Sequence, residues 1–223
     1  MKVEPHHDPK NINGLTKERL LNEAEALFAQ RGYHAVSVRE ITATAKCNLG
    51  AINYHFGNKQ NLYMEVFRTR WVTRAKRLHE FFRRSLASQA SPSLTTVIGA
   101  LAQAFLEGPL SDQERQRHYQ LMARELSQPT EAFKLVAEEV MKPFLKELAD
   151  MVRPVIPQGM GEERLMLNLL SIFAMVIHFN FARVAITQIT GRNYDADFKA
   201  QLVDHIVKFS LDGLGRTGKE ETR

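Results

Sequence analysis

Residues 28–62 read FAQRGYHAVSVREITATAKCNLGAINYHFGNKQNL, and the order of apolar residues, caps and glycines in this stretch decides the fold. Just upstream, Leu20, Ala24, Leu27 and Phe28 fall at i, i+4, i+7 and i+8, which places them on one face of a helix. The spacing predicts a helix over residues 16–31, stopped by Gly32, since glycine commonly ends a helix. Ser37 and Glu40 have the spacing of a capping box and open a second helix over residues 38–45. A tight break follows at Lys46-Cys47-Asn48, and a third short helix covers residues 49–55. Gly57-Asn58 breaks the chain again, with Asn58 able to cap a long fourth helix over residues 59–86. Three helices with a three-residue break between the last two match a helix-turn-helix unit.

That shape suits duplex DNA. The major groove admits one α-helix, and the second helix of the unit enters it while the one before it holds the angle. Val38, Ile41 and Ala45 supply one inward face, with Ile52 and Phe56 facing them. Left outside are Leu49, Gly50, Ala51, Asn53, Tyr54 and His55, next to Asn48 in the break. Gly50 and Ala51 are small enough for the backbone to approach the groove. Asn53 can donate and accept on a base edge or bond a phosphate, and Tyr54 and His55 can reach phosphate oxygens. Lys59, with the first amides of the fourth helix, offers another phosphate site because a helix N-terminus favours anions. Ser37, Arg39 and Thr42 complete the predicted DNA-binding set from the second helix. Singly, Arg39 and Lys59 read as solvated charges, His55 as a packing residue and Cys47 as a buried turn residue.

The same string resembles the TetR/AcrR family of transcriptional regulators. The matching points are Phe-x-x-x-Gly-Tyr at the end of the first helix, Ser-Val-x-x-Ile-x-x-x-Ala in the second and Gly-Ala-Ile-x-x-His-Phe in the third, continued by Lys59-x-x-Leu62. Two positions depart from the common pattern: Leu49 stands where Lys or Arg is frequent, and Asn53 where Tyr is frequent. Residues 120–143, QLMARELSQPTEAFKLVAEEVMKP, with the long apolar helix after them, resemble the effector domain of the CecR-like branch. The resemblance implies a homodimeric repressor, bound to a palindromic double-stranded operator and released by an unidentified small-molecule effector.

The rest of the chain fits an all-α protein: an N-terminal three-helix helix-turn-helix domain and a larger C-terminal effector and dimerisation domain. The boundaries read as a disordered arm over residues 1–14, the DNA-binding domain over 15–62, a linking helix over 59–87, the effector domain over 88–215 and a tail over 216–223. Further helices are expected over residues 94–107, 112–127, 130–152, 162–189 and 196–214. Ser111 and Glu114 repeat the capping-box spacing, and Pro143 should kink or split its helix.

With 223 residues and 44% apolar content, the chain can bury a sizeable core. A net charge of +5 is compatible with nucleic acid but mild. One cysteine allows no disulfide framework and no CxxC pair, which suits the cytoplasm. Residues 1–13 lack the apolar region of a signal peptide, and His6 and His7 are not read as metal ligands. The thirteen residues from Leu165 to Ile177 are uncharged but too few for a membrane span, so they read as a core helix. No metal, cofactor or catalytic site is expected; no Gly-rich phosphate loop is present. An enzyme, and an interaction protein whose head no longer binds DNA, are the alternatives, the latter left open by Leu49 and the mild charge.

Polar groups set among apolar ones nominate an effector pocket: Arg124 and Glu125, His178 and Arg183, with Phe105, Met122, Phe144, Phe173, Met175 and Phe179 as apolar walls. Core is the commoner role for each of these types, with His178 satisfied inside and a buried Arg paired to a local carboxylate such as Glu125. Phe198, Leu202, Ile206 and Phe209 form an apolar stripe on the last helix and are assigned to the dimer interface, against the alternative of intrachain core.

Overall fold

A computed structural model of the protein describes residues 9–88, 91–156 and 159–215. The predicted tail and the first eight residues of the arm lie outside them. The described residues are helical without a strand. In chain order the helices are α1 (Pro9–Arg31), α2 (Val38–Thr44), α3 (Ala51–Phe56), α4 (Lys59–Val66), α5 (Val72–Leu86), α6 (Leu94–Leu106), α7 (Asp112–Ser127), α8 (Glu131–Val136), α9 (Lys142–Val152), α10 (Glu162–Phe181), α11 (Arg183–Thr190) and α12 (Ala196–Gly215). The chain divides into two compact units, one of residues 1–73 with 120–134, the other of residues 74–119 with 135–223. The first unit thus runs beyond the expected limit at residue 62 and takes in the end of α7.

In the first unit α1 packs on α2, α3 and α4, and α3 packs on α2 and α4. Leu20, Ala24, Phe28, Ile41, Ile52 and Leu62 are buried at its centre. α1 begins at Pro9, so residues 9–14 are helical rather than part of a disordered arm. Gly32 ends α1 with φ +81 and its amide on the Phe28 carbonyl at 2.8 Å, the left-handed stop that a glycine permits without steric cost. Asn58 caps α4, its side chain accepting from the Asn61 amide at 2.8 Å.

Glu125, from the end of α7, is 1% exposed within this unit. Its carboxylate accepts from the Tyr63 hydroxyl at 2.6 Å, from the Thr130 amide at 2.9 Å and from the Thr130 hydroxyl at 3.0 Å. A buried carboxylate is stable only when its oxygens are occupied in this way. Burial first, then the neighbouring carboxylate, pushes the Tyr63 phenol far above its ordinary range. Arg124 is exposed and donates to the Gln30 carbonyl, not to Glu125.

In the second unit α12 lies along α6, and α10 packs on α6, α9 and α12. α10 is 20 residues long with mean hydropathy 1.5, enough to cross a membrane by length and composition, and longer than the thirteen-residue uncharged run inside it. Leu165, Leu169, Ile172 and Val176 on one side of it are buried among the helices of the unit, as in a core helix. The helix predicted over residues 162–189 is broken at Ala182. Two residues earlier the buried Asn180 amide donates to the Val176 carbonyl at 3.1 Å, competing with the helical ladder near the break.

Ser111 and Glu114 form their capping bonds at 2.9 and 3.2 Å. Pro143 sits in the first turn of α9, directly after a π turn over Ala137–Met141. Proline has no N–H for the carbonyl four residues back, and the wider turn absorbs the mismatch. A second π turn, Phe67–Trp71, joins α4 to α5. It has no such sequence signal; Phe67 and Trp71 are both buried.

Candidate nucleic-acid interface

α3 is amphipathic over barely two turns. Ile52 is 0% and Phe56 8% exposed on its inner side, whereas Tyr54 is 73% and Leu49, just before it, 55% exposed. Asn48, Gly50 and Asn53 are exposed; Ala51 and His55 are half-buried, with the His55 ring against both Tyr54 and Phe56. The Asn13 amide of α1 donates to the Tyr54 hydroxyl at 3.2 Å. An outward row of Asn53, Tyr54 and the small Gly50 is therefore free to meet a flat or grooved partner.

The second-helix candidates divide. Arg39 is exposed. Thr42 is not a contact residue: it is 3% exposed, and its hydroxyl donates to the Val38 and Arg39 carbonyls at 3.1 Å, back-bonding within its own helix. Ser37 is exposed, but its hydroxyl closes the capping box, accepting from the Glu40 amide at 3.1 Å and donating to the Glu40 carboxylate at 2.8 Å. The Ser37 amide, then Arg31, holds the Glu40 carboxyl down at about 2. Lys59 is half-buried, its ammonium 4.2 Å from the centre of the Tyr33 ring. Burial lowers its pKa, opposed by the Glu40 charge.

Two cations outside the predicted set stand beside α3. Arg19 of α1 and Lys46 of the α2–α3 turn line a groove of 420 Å³ with Tyr54 and His55. Lys46 has φ +53, a left-handed conformation that costs a residue with a Cβ about 1 kcal/mol. A lysine inside the break was visible in the sequence; its backbone conformation was not.

The effector candidates are distributed over both units. Met122, Arg124 and Glu125 belong to the first unit, and the other seven to the second. Within the second unit, Phe105 meets Phe173 edge-on at 5.2 Å, and Phe144 lies 6.3 Å from Phe173. Met175 and Phe179 are half-buried; His178 is exposed rather than a core histidine. Arg183 pairs with Asp112 at 3.3 Å and covers the Tyr194 ring. Other buried polar groups of this unit escaped the sequence reading. His79 stacks on Phe144 at 3.8 Å and is lowered to about 4, by burial and then by Arg83. His118 is lowered to about 3, by burial and then by Arg74, His79 and Arg115. Arg115 donates to the carbonyls of Phe105, Gly108 and Leu110 around the end of α6, while its Nε and the buried Tyr119 hydroxyl have no hydrogen-bond acceptor.

The proposed interface stripe needs correcting as well. Phe198, Leu202 and Ile206 are 8%, 6% and 0% exposed within one chain, because α12 turns them into the unit's own core beside α6. Phe209 alone of the four faces outward, at 61%.

A short exposed helix, held at a fixed angle by two supporting helices and flanked by cations, defines a helix-turn-helix DNA-binding head. The tetR family of bacterial regulatory proteins matches residues 20–66, and the C-terminal domain family of the HTH-type transcriptional dual regulator CecR matches residues 94–214, more than half of the chain. The chain belongs to the TetR family, in its CecR branch, and is a DNA-binding transcriptional regulator rather than an enzyme. It is similar to the CecR regulator of Shigella flexneri, 26% identical over 204 residues that span 88% of this chain and 89% of the relative. The QacR regulator of Staphylococcus aureus is 36% identical over 50 residues, 22% of this chain and 27% of that protein. Among solved structures, a TetR-family regulator from Shewanella shares the fold with TM-score 0.64 at 16% identity, covering 89% of this chain and 97% of its own.

Proposed function

We propose that the protein is a homodimeric repressor that leaves a palindromic operator when a small molecule binds its C-terminal region. The observation that carries the reading is the outward face of α3, where Asn53 and the 73% exposed Tyr54 stand clear of the core. One such helix reads a single half-site; two, about 34–36 Å apart, read successive turns of one DNA face. A dimer surface is available on α10, where Leu167, Leu170 and Phe181 are 58%, 39% and 59% exposed along one stripe, together with Phe209 of α12. Large apolar side chains exposed on one helix face suit an association site. Effector release requires that the ligand favour a conformer with the wrong half-site spacing. The chain offers a covalent route for that coupling, since α7 and the helical run over residues 59–86 each contribute to both units.

A mobility-shift titration tests the reading. DNA from upstream of the protein's own gene should bind in preference to random duplex. Asn53→Ala should weaken that preference by about 5- to 150-fold, the range for losing one base contact worth about 1–3 kcal/mol, whereas Tyr54→Ala should weaken binding to all duplexes alike. Light scattering should give twice 25.5 kDa. Equal affinity for random DNA, or a monomeric particle, would defeat the proposal.

A further inference from the structure

We propose that α1 and the α2–α3 turn build a second grip on the DNA backbone beside α3, with Lys46 and Arg19 as its cations. The inference rests on the DNA-binding reading and adds a phosphate site to it. The groove of 420 Å³ is walled by Thr16 and Arg19 from α1, Lys46 and Asn48 from the turn, and Tyr54 and His55 from α3. No acidic residue lines it. Three other cations of this unit are paired with carboxylates: Lys17 with Glu65, Arg31 with Glu40 and Arg70 with Glu18. Arg19 and Lys46 are exposed and have no acidic partner among the described residues.

Lys46 is the sharper observation. Among the described residues every other positive φ belongs to a glycine: Gly32, Gly57, Gly159 and Gly191. A glycine at position 46 would hold the same turn without strain. Strain is retained where the surrounding structure enforces it and a side chain has work there. The only group that Lys46 adds over glycine at this turn is a cation on a long stem, in the wall of the groove. Leu49, apolar and 55% exposed just before α3, supplies no charge of its own. Arg19 and Lys46 therefore share one groove with an uncharged stretch of chain and with Asn48 and Tyr54. Two cations and neutral donors, without a carboxylate, suit the non-bridging oxygens of a phosphodiester.

The test uses the full chain and a labelled duplex of mixed sequence, about three helical turns long, titrated over a series of salt concentrations. Lys46→Gly, Lys46→Gln and Arg19→Gln are compared with the wild type. Each variant should lower the slope of log affinity against log salt by about 0.9 per subunit, and by the same amount on unrelated sequences. Lys46→Gly is the decisive variant, because glycine relieves the left-handed turn. Its thermal midpoint should equal or exceed that of the wild type while its DNA affinity falls. Wild-type slope and affinity in Lys46→Gly and Arg19→Gln would overturn the inference and leave the DNA-binding reading standing. A loss confined to some sequences would overturn it too, since that is base readout. So would saturable competition by inorganic phosphate that the variants abolish, which marks a free-anion site. Failure of the wild type to bind any duplex would instead defeat the underlying reading.

Discussion

Acidification from pH 7 to pH 5 should unfold this protein far more readily than its surface charges suggest, because two histidines are buried in the neutral form. His79 and His118 are 8% and 3% exposed, and their pKa values drop from 6.5 to about 4 and about 3. A released chain takes up protons on both rings below pH 6.5, whereas the folded chain does not until pH approaches 4. The stability they contribute is therefore complete above 6.5 and drains as the pH falls toward 4 and 3. At pH 5 the unfolded state gains roughly 30-fold per histidine, about 2 kcal/mol each and about 4 kcal/mol for the pair. Against a total stability of about 5–15 kcal/mol this is a large fraction. With a urea dependence near 2 kcal/mol per molar, the midpoint should fall by about 2 M between the two pH values. Glu40, Glu114 and Glu147, whose carboxyls are lowered by their hydrogen bonds and arginine partners, contribute only as the pH drops below 4.5. The window above 5 thus isolates the imidazoles. His79→Phe keeps the stack on Phe144 and removes one titrating ring, so about half of the pH effect should vanish. Identical midpoints at pH 7 and 5, or a His79→Phe protein with the full acid sensitivity, would refute the reasoning.

Three substitutions probe the polar anchors of the two units by chemical denaturation. Tyr63→Phe removes one of three donors from the buried Glu125 carboxylate and should cost about 2 kcal/mol; a change below about 0.5 kcal/mol would mean that the bond at 2.6 Å carries no net energy. Ser37→Ala removes the α2 cap and should cost about 1 kcal/mol, while the Glu40 carboxyl, read by NMR titration, moves up from about 2 toward its ordinary value. Tyr119→Phe deletes a buried hydroxyl with no acceptor and should leave stability unchanged or raise it by about 1 kcal/mol; a loss of that size would show that the hydroxyl is satisfied in solution.

Local signals were the ones legible in the sequence. The Ser37–Glu40 and Ser111–Glu114 boxes, the Asn58 cap and the Gly32 stop all depend on residues within a few positions of one another, and each forms the bonds that its spacing implies. The inward placement of Ile52 and Phe56 followed from the same short-range reasoning. What depended on distant neighbours did not follow. An apolar stripe such as Phe198, Leu202 and Ile206 announces that something covers it, not which chain does, and here α6 of the same chain lies beside it. Glu125 and Arg124 look alike in sequence as polar groups on an amphipathic helix. One is buried beneath Tyr63 and the other reaches the end of α1. Thr42 points toward its own helix because a threonine hydroxyl can bond a carbonyl three or four residues back, a choice that spacing alone does not fix. The positive φ of Lys46 is a property of the turn as assembled.

The DNA-binding head is not contiguous along the chain. Its last contributors, Glu125 and Thr130, are made more than fifty residues after Tyr63, whose hydroxyl they engage. On the ribosome the head must wait for α6 and α7 before its buried carboxylate arrives. A fragment ending at residue 73 would leave Tyr63 without that acceptor, so shortening this regulator to its apparent DNA-reading module should yield a loosened, protease-sensitive remnant rather than a miniature of the whole.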